Sequence, residues 1–98
     1  MVNNKIVVVS GYFDPIHIGH LEYFKLAKEL GDTLYVIVNS DFQASLKKGS
    51  SFMKETDRLK IVESIDIVDK AILSIDKDRS VCKTLIDIQP AIFANGGD

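Results

Sequence analysis

The sequence lacks most of the features that mark specialised protein classes. It has one cysteine, Cys82, so no disulfide can form within the chain. Its longest apolar run is Leu-Tyr-Val-Ile-Val at residues 34–38, far shorter than the roughly 20 residues of a membrane span. The residues after Met1 do not resemble a signal peptide, and no internal repeat or low-complexity stretch occurs. We therefore expect an ordinary globular protein in a reducing compartment, the cytoplasm.

The charge balance also excludes a strong general attraction to polyanions. The net charge is −2 over 98 residues, which gives no electrostatic reason to expect nucleic acid or an anionic membrane as a partner. An anionic ligand would have to be held by a local group of positive side chains. The length suits one small domain, and we expect a single domain over residues 1–98.

Apolar runs alternate with amphipathic segments along the whole chain. Consecutive apolar residues, typical of parallel strands covered on both faces, predict strands at residues 5–10, 33–39, 70–75 and 91–94. The segments between them predict helices at residues 19–30, 54–64 and 80–88. Gly31 is expected to end the first helix in a left-handed conformation, Ser80 to cap the third, and Cys82 to lie in the core. This β-α-β-α-β-α-β order predicts an α/β fold, a Rossmann-like parallel sheet with helices on both faces.

Residues 40–53 form the longest segment without an obvious strand or helix pattern. The segment carries Lys47, Lys48 and Gly49 and is too long for a plain connection. We expect a mobile binding loop here. A solvated surface loop is the alternative that composition alone favours.

The turn after the first strand, residues 11–20, reads GYFDPIHIGH. It lies at the carboxyl end of a parallel strand, where ligands bind in open α/β sheets, and at a helix N-terminus, which favours anions. Gly19 is expected to let a phosphate approach the backbone. His17 and His20 are three residues apart, so in a helical turn both imidazoles project to one side. Together they are expected to donate hydrogen bonds to a phosphate.

Other interpretations of this turn are less well supported. Neither a GxGxxG fingerprint nor a Walker A loop is present. A structural zinc site needs about four ligands, and two histidines with one cysteine do not supply them, so no metal site is predicted. A histidine that caps a helix or bonds a backbone carbonyl remains the alternative to a ligand-binding role.

His17-Ile18-Gly19-His20 resembles the HxGH signature of the nucleotidylyltransferase superfamily, and the preceding Gly-Tyr-Phe-Asp resembles its G-x-F-D entry. The resemblance continues through residues 26–32, 36–41, 47–49, 58 and 68–69, and it ends at residues 95–98. The pattern is most similar to cytidylyltransferases that act on small phosphorylated alcohols or sugars, such as the glycerol-3-phosphate cytidylyltransferases. The stretch at residues 13–17 also resembles pantetheine-phosphate and nicotinamide-mononucleotide adenylyltransferases.

The resemblance implies transfer of a nucleotidyl group, CMP from CTP, to a phosphorylated alcohol or sugar with release of pyrophosphate. An adenylyltransferase that uses ATP is one alternative, and a nucleotide-binding or inactive truncated module is another. Mg²⁺ is implied as the companion of the triphosphate, and a homodimer as the assembly. The implied catalytic residues are His17, His20 and Lys47. The implied nucleotide-binding residues are Gly11, Tyr12, Phe13, Asp14, Gly19, Lys48, Arg58, Asn95, Gly96, Gly97 and Asp98.

Several of these roles have structural alternatives. Either Lys47 or Lys48 is expected to bring a positive charge from the segment at residues 40–53 to the site. The alternative for each is a solvated lysine on the surface. Arg58 has a surface ion pair with Glu55 as its alternative role. Asp14 either orients a histidine or a magnesium-bound water, or fixes the turn before Pro15. The family pattern continues with a phosphate-gripping segment beyond Asp98. We expect this chain either to be part of a longer protein or to be a reduced version that lacks the segment.

Overall fold

Four parallel strands form the centre of the molecule. The computed structural model describes residues 5–49 and 51–94. Its strands are β1 (Ile6–Gly11), β2 (Thr33–Val38), β3 (Lys70–Leu73) and β4 (Ile92–Phe93), and its helices are α1 (Ile18–Lys28), α2 (Asp41–Lys48), α3 (Glu55–Glu63) and α4 (Cys82–Ile88). The strand order is β3-β2-β1-β4, with every pair parallel. The predicted Rossmann-like α/β fold is confirmed.

Both faces of the sheet are covered, which explains the uninterrupted apolar runs. Val7 and Val9 of β1 pack on one face with Phe24 of α1 and Val62 of α3. Val8 faces the other way and packs with residues of β2 and α4. Because neighbouring residues of a strand point to opposite faces, burial on both sides requires apolar residues at consecutive positions. Within the described ranges no helix is long and apolar enough to cross a membrane.

Helix α2 occupies much of the segment that was predicted to be a mobile loop. The Ser40 hydroxyl accepts a hydrogen bond from the Gln43 N–H at 3.2 Å, and the Gln43 side chain accepts one from the Ser40 N–H at 3.0 Å. Gly49 ends the helix with a φ of 86°, which favours glycine. The Ser-x-x-Gln capping box was readable in the sequence. Residues 49 and 51–54, between α2 and α3, belong to no helix or strand.

Gly31 has a different role from the predicted helix stop. Helix α1 ends at Lys28, and Gly31 is not among the residues with positive φ. A Cβ atom on Gly31 would lie 2.6 Å from Val7 Cγ2 and 2.7 Å from the Lys5 carbonyl oxygen. The chain needs glycine here because it passes directly against the start of β1.

The predictions for the start of α4 were wrong in two respects. The N-cap is Val81, without a side-chain cap, rather than Ser80. The orphan N–H groups of Lys83 and Thr84 are satisfied instead by the carboxylate of buried Asp76, at 2.8 and 3.1 Å. Cys82 is exposed, because α4 packs on the sheet through residues 81, 85 and 88.

We predict that Gly31→Ala lowers the free energy of unfolding by about 1–3 kcal/mol, because the added methyl forces β1 away from the chain after α1. Chemical denaturation of the variant and of Glu63→Ala, at an exposed position of α3, measures this effect against a surface control. Equal stability of the two variants would show that the packing beside Val7 is loose.

Candidate functional site

A cavity of about 280 Å³ opens where β1 runs into α1. The carboxyl ends of parallel strands meet at this edge of the sheet, as expected for a ligand site. The cavity brings together the three predicted catalytic residues and three of the predicted binding residues. Its lining residues are Tyr12, Phe13, Asp14, Pro15, His17, His20 and Lys47.

His17 and His20 stack on each other at the N-terminus of α1. Their ring centroids lie 3.9 Å apart with an interplanar angle of 29°. His17 Nδ1 accepts a hydrogen bond from the Gly19 N–H at 3.1 Å, and His20 Nδ1 accepts one from the His17 N–H at 3.0 Å. The two imidazoles thus form a capping box in which histidines replace the usual serine and glutamate.

These bonds determine which ring nitrogen of each histidine carries the proton. Since Nδ1 accepts in both rings, the neutral imidazoles hold their proton on Nε2, which is then a donor. The helix-capping alternative is therefore present at Nδ1 of each ring, and it leaves the prediction of a phosphate-donor role compatible with the opposite nitrogen, Nε2.

The glycines of the turn make room for side chains of the turn itself. A Cβ on Gly19 would lie 2.8 Å from His17 Cε1, and a Cβ on Gly11 would lie 2.8 Å from Phe13 Cζ. The His17 ring therefore lies directly against Gly19, and the expectation that Gly19 admits a phosphate to the backbone stays a prediction. Phe13 has a φ of 53°, a conformation that L residues adopt at a cost and that is often found at functional sites.

The Phe13 ring, 1% exposed, holds the turn against the core. It makes edge contacts with His20 at 4.9 Å and with Phe24 at 5.4 Å between ring centroids. These contacts connect the position of His20 to the buried part of α1.

Lys47 lies on α2, the helix that follows β2, and its side chain reaches the cavity from there. The Lys47 Nζ lies 4.5 Å from the centroid of the Tyr12 ring, a distance typical of a cation–π contact. The predicted positive charge therefore reaches the cavity, from a helix rather than a loop. The side chain of Lys48 lies outside the described residues, as do Asn95, Gly96, Gly97 and Asp98.

Arg58 is buried below the cavity, with 1% of its surface exposed. Its guanidinium donates to the carbonyl oxygens of Tyr12 and Asn39, both at 2.7 Å, and to that of Met53 at 2.9 Å. It also forms an ion pair with Asp41 Oδ1 at 2.6 Å. The alternative of a surface ion pair with Glu55 is therefore wrong. Arg58 is not among the residues that line the cavity of His17 and His20, which we call the histidine cavity. It supports this cavity through the backbone carbonyl groups that it binds.

Two carboxylates complete this support. Asp14 accepts hydrogen bonds from the N–H groups of Phe52 and Met53 at 2.7 and 2.6 Å, which ties the irregular residues before α3 to the turn. Burial raises the pKa of Asp41, but hydrogen bonds from Arg58, the Glu55 N–H and Ser51, together with the Arg58 charge, hold that pKa below its ordinary value.

Three polar residues of the site were missed in the sequence: Asn39, Asp41 and Gln43. Asn39 and Gln43 are buried, and their side chains bond each other at 3.1 Å. The available signal was the capping box at the start of α2, in which Ser40 is the N-cap residue and Gln43 is the third residue of the helix. Asp41 is the first residue of the same helix. No group of three or more metal-ligating side chains occurs within the part of the chain that is described.

The parallel α/β sheet and the paired histidines at its first turn define a nucleotidylyltransferase-like domain. The sequence model of the family described as cytidylyltransferase-like matches residues 8–98, so this chain belongs to that family.

Similar proteins carry several names. FAD synthase of Thermoplasma volcanium is 37% identical over 92 residues, which cover 94% of this chain and 63% of the relative. The bifunctional protein HldE of Citrifermentans bemidjiense is 35% identical over 96 residues, 96% of this chain and 19% of the relative. The crystal structure of the lipopolysaccharide core biosynthesis protein from Thermoplasma volcanium matches with a TM-score of 0.86 and 34% identity, covering 93% of this chain and 73% of that one. The chain thus spans less than two thirds of the length of that FAD synthase.

We predict that Arg58→Met lowers the free energy of unfolding by about 2–4 kcal/mol, because three carbonyl groups and Asp41 lose a buried donor. Asp41 is 39% exposed, so water replaces part of what it loses. Lys60→Met, at an exposed position of the same helix, is the matched control.

The loss of unfolding free energy in Arg58→Met should also depend on pH. A lowered pKa means that the Asp41 carboxylate stabilises the fold above its ordinary value of 3.8 and loses this effect as the pH falls through the folded pKa. Urea denaturation should therefore show a larger difference between wild type and Arg58→Met at pH 7 than at pH 3. A difference that does not change with pH would contradict the assigned ion pair.

Proposed function

We propose that this domain transfers a nucleotidyl group from a nucleoside triphosphate to a phosphorylated acceptor. One observation carries the proposal. Two stacked histidines and Lys47 line a single cavity at a helix N-terminus, and each histidine uses Nδ1 within the turn so that Nε2 is the donor nitrogen. Such a set of fixed positive and donor groups suits a triphosphate.

In the proposed reaction an oxygen of the acceptor phosphate attacks the α-phosphorus of the nucleotide. The bond between the α-phosphorus and the bridging oxygen to the β-phosphate breaks, and pyrophosphate leaves with that electron pair. The attacking oxygen is already anionic near neutral pH, so no covalent enzyme intermediate is needed. The work of the chain is alignment and stabilisation of the charge that develops on the phosphoryl oxygens.

His17 and His20 are proposed to donate from Nε2 to those oxygens, and Lys47 to balance the negative charge of the triphosphate. Mg²⁺ is proposed to arrive with the nucleotide as part of the substrate, since Mg²⁺ is commonly held by one or two carboxylates together with substrate phosphates. Asp14 is the carboxylate among the described lining residues, and it already accepts two backbone hydrogen bonds.

We propose ATP as the donor, with CTP as the second candidate. The support for ATP is the similarity to FAD synthases, since FAD contains an adenylyl group joined to a flavin phosphate. The support for CTP is the description of the family as cytidylyltransferase-like. Calorimetric titration with each nucleotide in the presence of Mg²⁺ distinguishes the two, and pyrophosphate release with FMN or glycerol 3-phosphate distinguishes an enzyme from a binding module. The proposal fails if neither nucleotide binds.

We predict that His17→Asn and His20→Gln each lower turnover by about 10²–10³-fold, the usual effect of removing one oxyanion donor. Asparagine keeps a side-chain acceptor that can cap α1 but lacks the Nε2 donor, so the fold should persist. The measurements are steady-state pyrophosphate release and thermal unfolding, with Lys25→Ala on the exposed face of α1 as the control. Turnover within a few-fold of the wild type in both histidine variants would remove these side chains from the mechanism.

A further inference from the structure

A second cavity of about 280 Å³ opens at the same edge of the sheet, between the strand ends and the start of α4. Gly11 and Asn39 contribute the strand ends, Val81 and Leu85 contribute the α4 side, and Arg79 lies on the segment before the helix. Val81 and Leu85 belong to the core on the α4 face of the sheet, whereas Phe13 and Phe24 belong to the core on the α1 face. Among the described lining residues, Tyr12 is common to this cavity and the histidine cavity.

Arg79 supplies a positive charge to this second cavity. It is exposed, and within residues 5–49 and 51–94 its guanidinium forms no ion pair and no hydrogen bond. The neighbouring Lys77 differs, because its Nζ lies 5.6 Å from the ring centroid of Phe42 and Lys77 does not line the cavity. An arginine without a partner at the wall of a cavity is suited to bind an anion, and its planar fork matches two oxygens of a phosphate.

The backbone that carries Arg79 is held by a buried side chain. Gln43 is fully buried, and its Nε2 donates to the carbonyl oxygens of Asp78 and Ser80 at 2.7 and 2.8 Å. Its Oε1 accepts from Asn39 Nδ2 at 3.1 Å and from the Ser40 N–H. The carbonyl groups on both sides of Arg79 are therefore anchored to the end of β2 through one amide.

The Asp78 carboxylate adds a second constraint on the same segment. It accepts from the Ser80 N–H at 2.9 Å and from the Ser80 hydroxyl at 2.6 Å. Within the described residues, Asp78 is held in this local turn and forms no ion pair with Arg79. The segment thus presents a positive charge from a defined backbone rather than from an unconstrained loop.

We propose that the second cavity binds the acceptor, a phosphate monoester, and that Arg79 holds its phosphate. This inference rests on the proposed nucleotidyl transfer. An in-line displacement places the attacking oxygen and the leaving pyrophosphate on opposite sides of the α-phosphorus. If the triphosphate occupies the histidine cavity, an acceptor in the second cavity approaches from the other side of Tyr12.

The experiment compares Arg79→Ala and Arg79→Lys with Lys77→Ala, the matched loss of an exposed cation two residues away. Calorimetry with FMN, glycerol 3-phosphate and inorganic phosphate as probes, at saturating non-hydrolysable ATP analogue and Mg²⁺, measures acceptor binding. We expect Arg79→Ala to weaken binding of the phosphate monoesters at least tenfold and to leave the affinity for the ATP analogue within twofold of the wild type. The affinity of Arg79→Lys for the phosphate monoesters should lie between those of Arg79→Ala and the wild type. The affinity of Lys77→Ala should match that of the wild type.

The outcomes separate the two proposals. Failure of the wild type to bind ATP or CTP overturns the proposed function itself. Nucleotide binding without binding of any of the three probes overturns the assignment of the second cavity, and so does a wild-type affinity for the probes in Arg79→Ala. A loss of nucleotide affinity in Arg79→Ala also overturns the inference, because it places Arg79 on the triphosphate. Thermal unfolding of each variant confirms that the fold is intact, as expected for substitutions at exposed positions.

Discussion

The buried guanidinium of Arg58 is the constraint on which the rest of the site depends. A charge with 1% exposure is costly unless its donors are paired, and here the partners come from three separate parts of the chain. The carbonyl groups of Tyr12 and Asn39 directly follow β1 and β2, that of Met53 precedes α3, and Asp41 is the first residue of α2. Each of these segments is irregular or terminal, and sheet hydrogen bonds alone would not hold them together.

This support explains how the turn after β1 tolerates an unfavourable conformation. Phe13 has a left-handed backbone although it carries a large side chain, and such a residue persists only where its surroundings determine it. The carbonyl of Tyr12 is held by Arg58 on one side, and the carboxylate of Asp14 is held by two N–H groups on the other. The backbone on both sides of Phe13 is therefore held in place. Under the proposed function this fixes the histidines that follow, as electrostatic stabilisation of a transition state requires.

Much of this architecture could be predicted from the sequence, because it depends on local patterns. Apolar runs indicated the strands, and the turn with its two histidines indicated where the cavity at the end of β1 lies. Most of the missed features depend on tertiary contacts, and the local capping box at the start of α2 is the exception. Helix α2 has few apolar residues to signal it, since its buried side includes the polar Gln43 and the small Ala44. The position of Gly31 after an amphipathic segment predicts a helix stop, whereas its close approach to Val7 is visible only in three dimensions. No pattern distinguishes a buried Arg58 from an exposed one, since its partners are mostly backbone carbonyls distant in sequence.

The two cavities depend on one shared polar layer under the strand ends. Arg58 and Gln43 both contact Asn39, the first through its carbonyl and the second through its side-chain amide. Arg58 continues to the histidine turn, and Gln43 continues to the segment that carries Arg79. Under the proposed function, the groups for phosphoryl transfer and the groups for the acceptor therefore lie on opposite faces of the sheet but share an anchor. Under that proposal, substitutions at residues 77–80 would change which acceptor binds. The geometry of the histidine turn would stay the same.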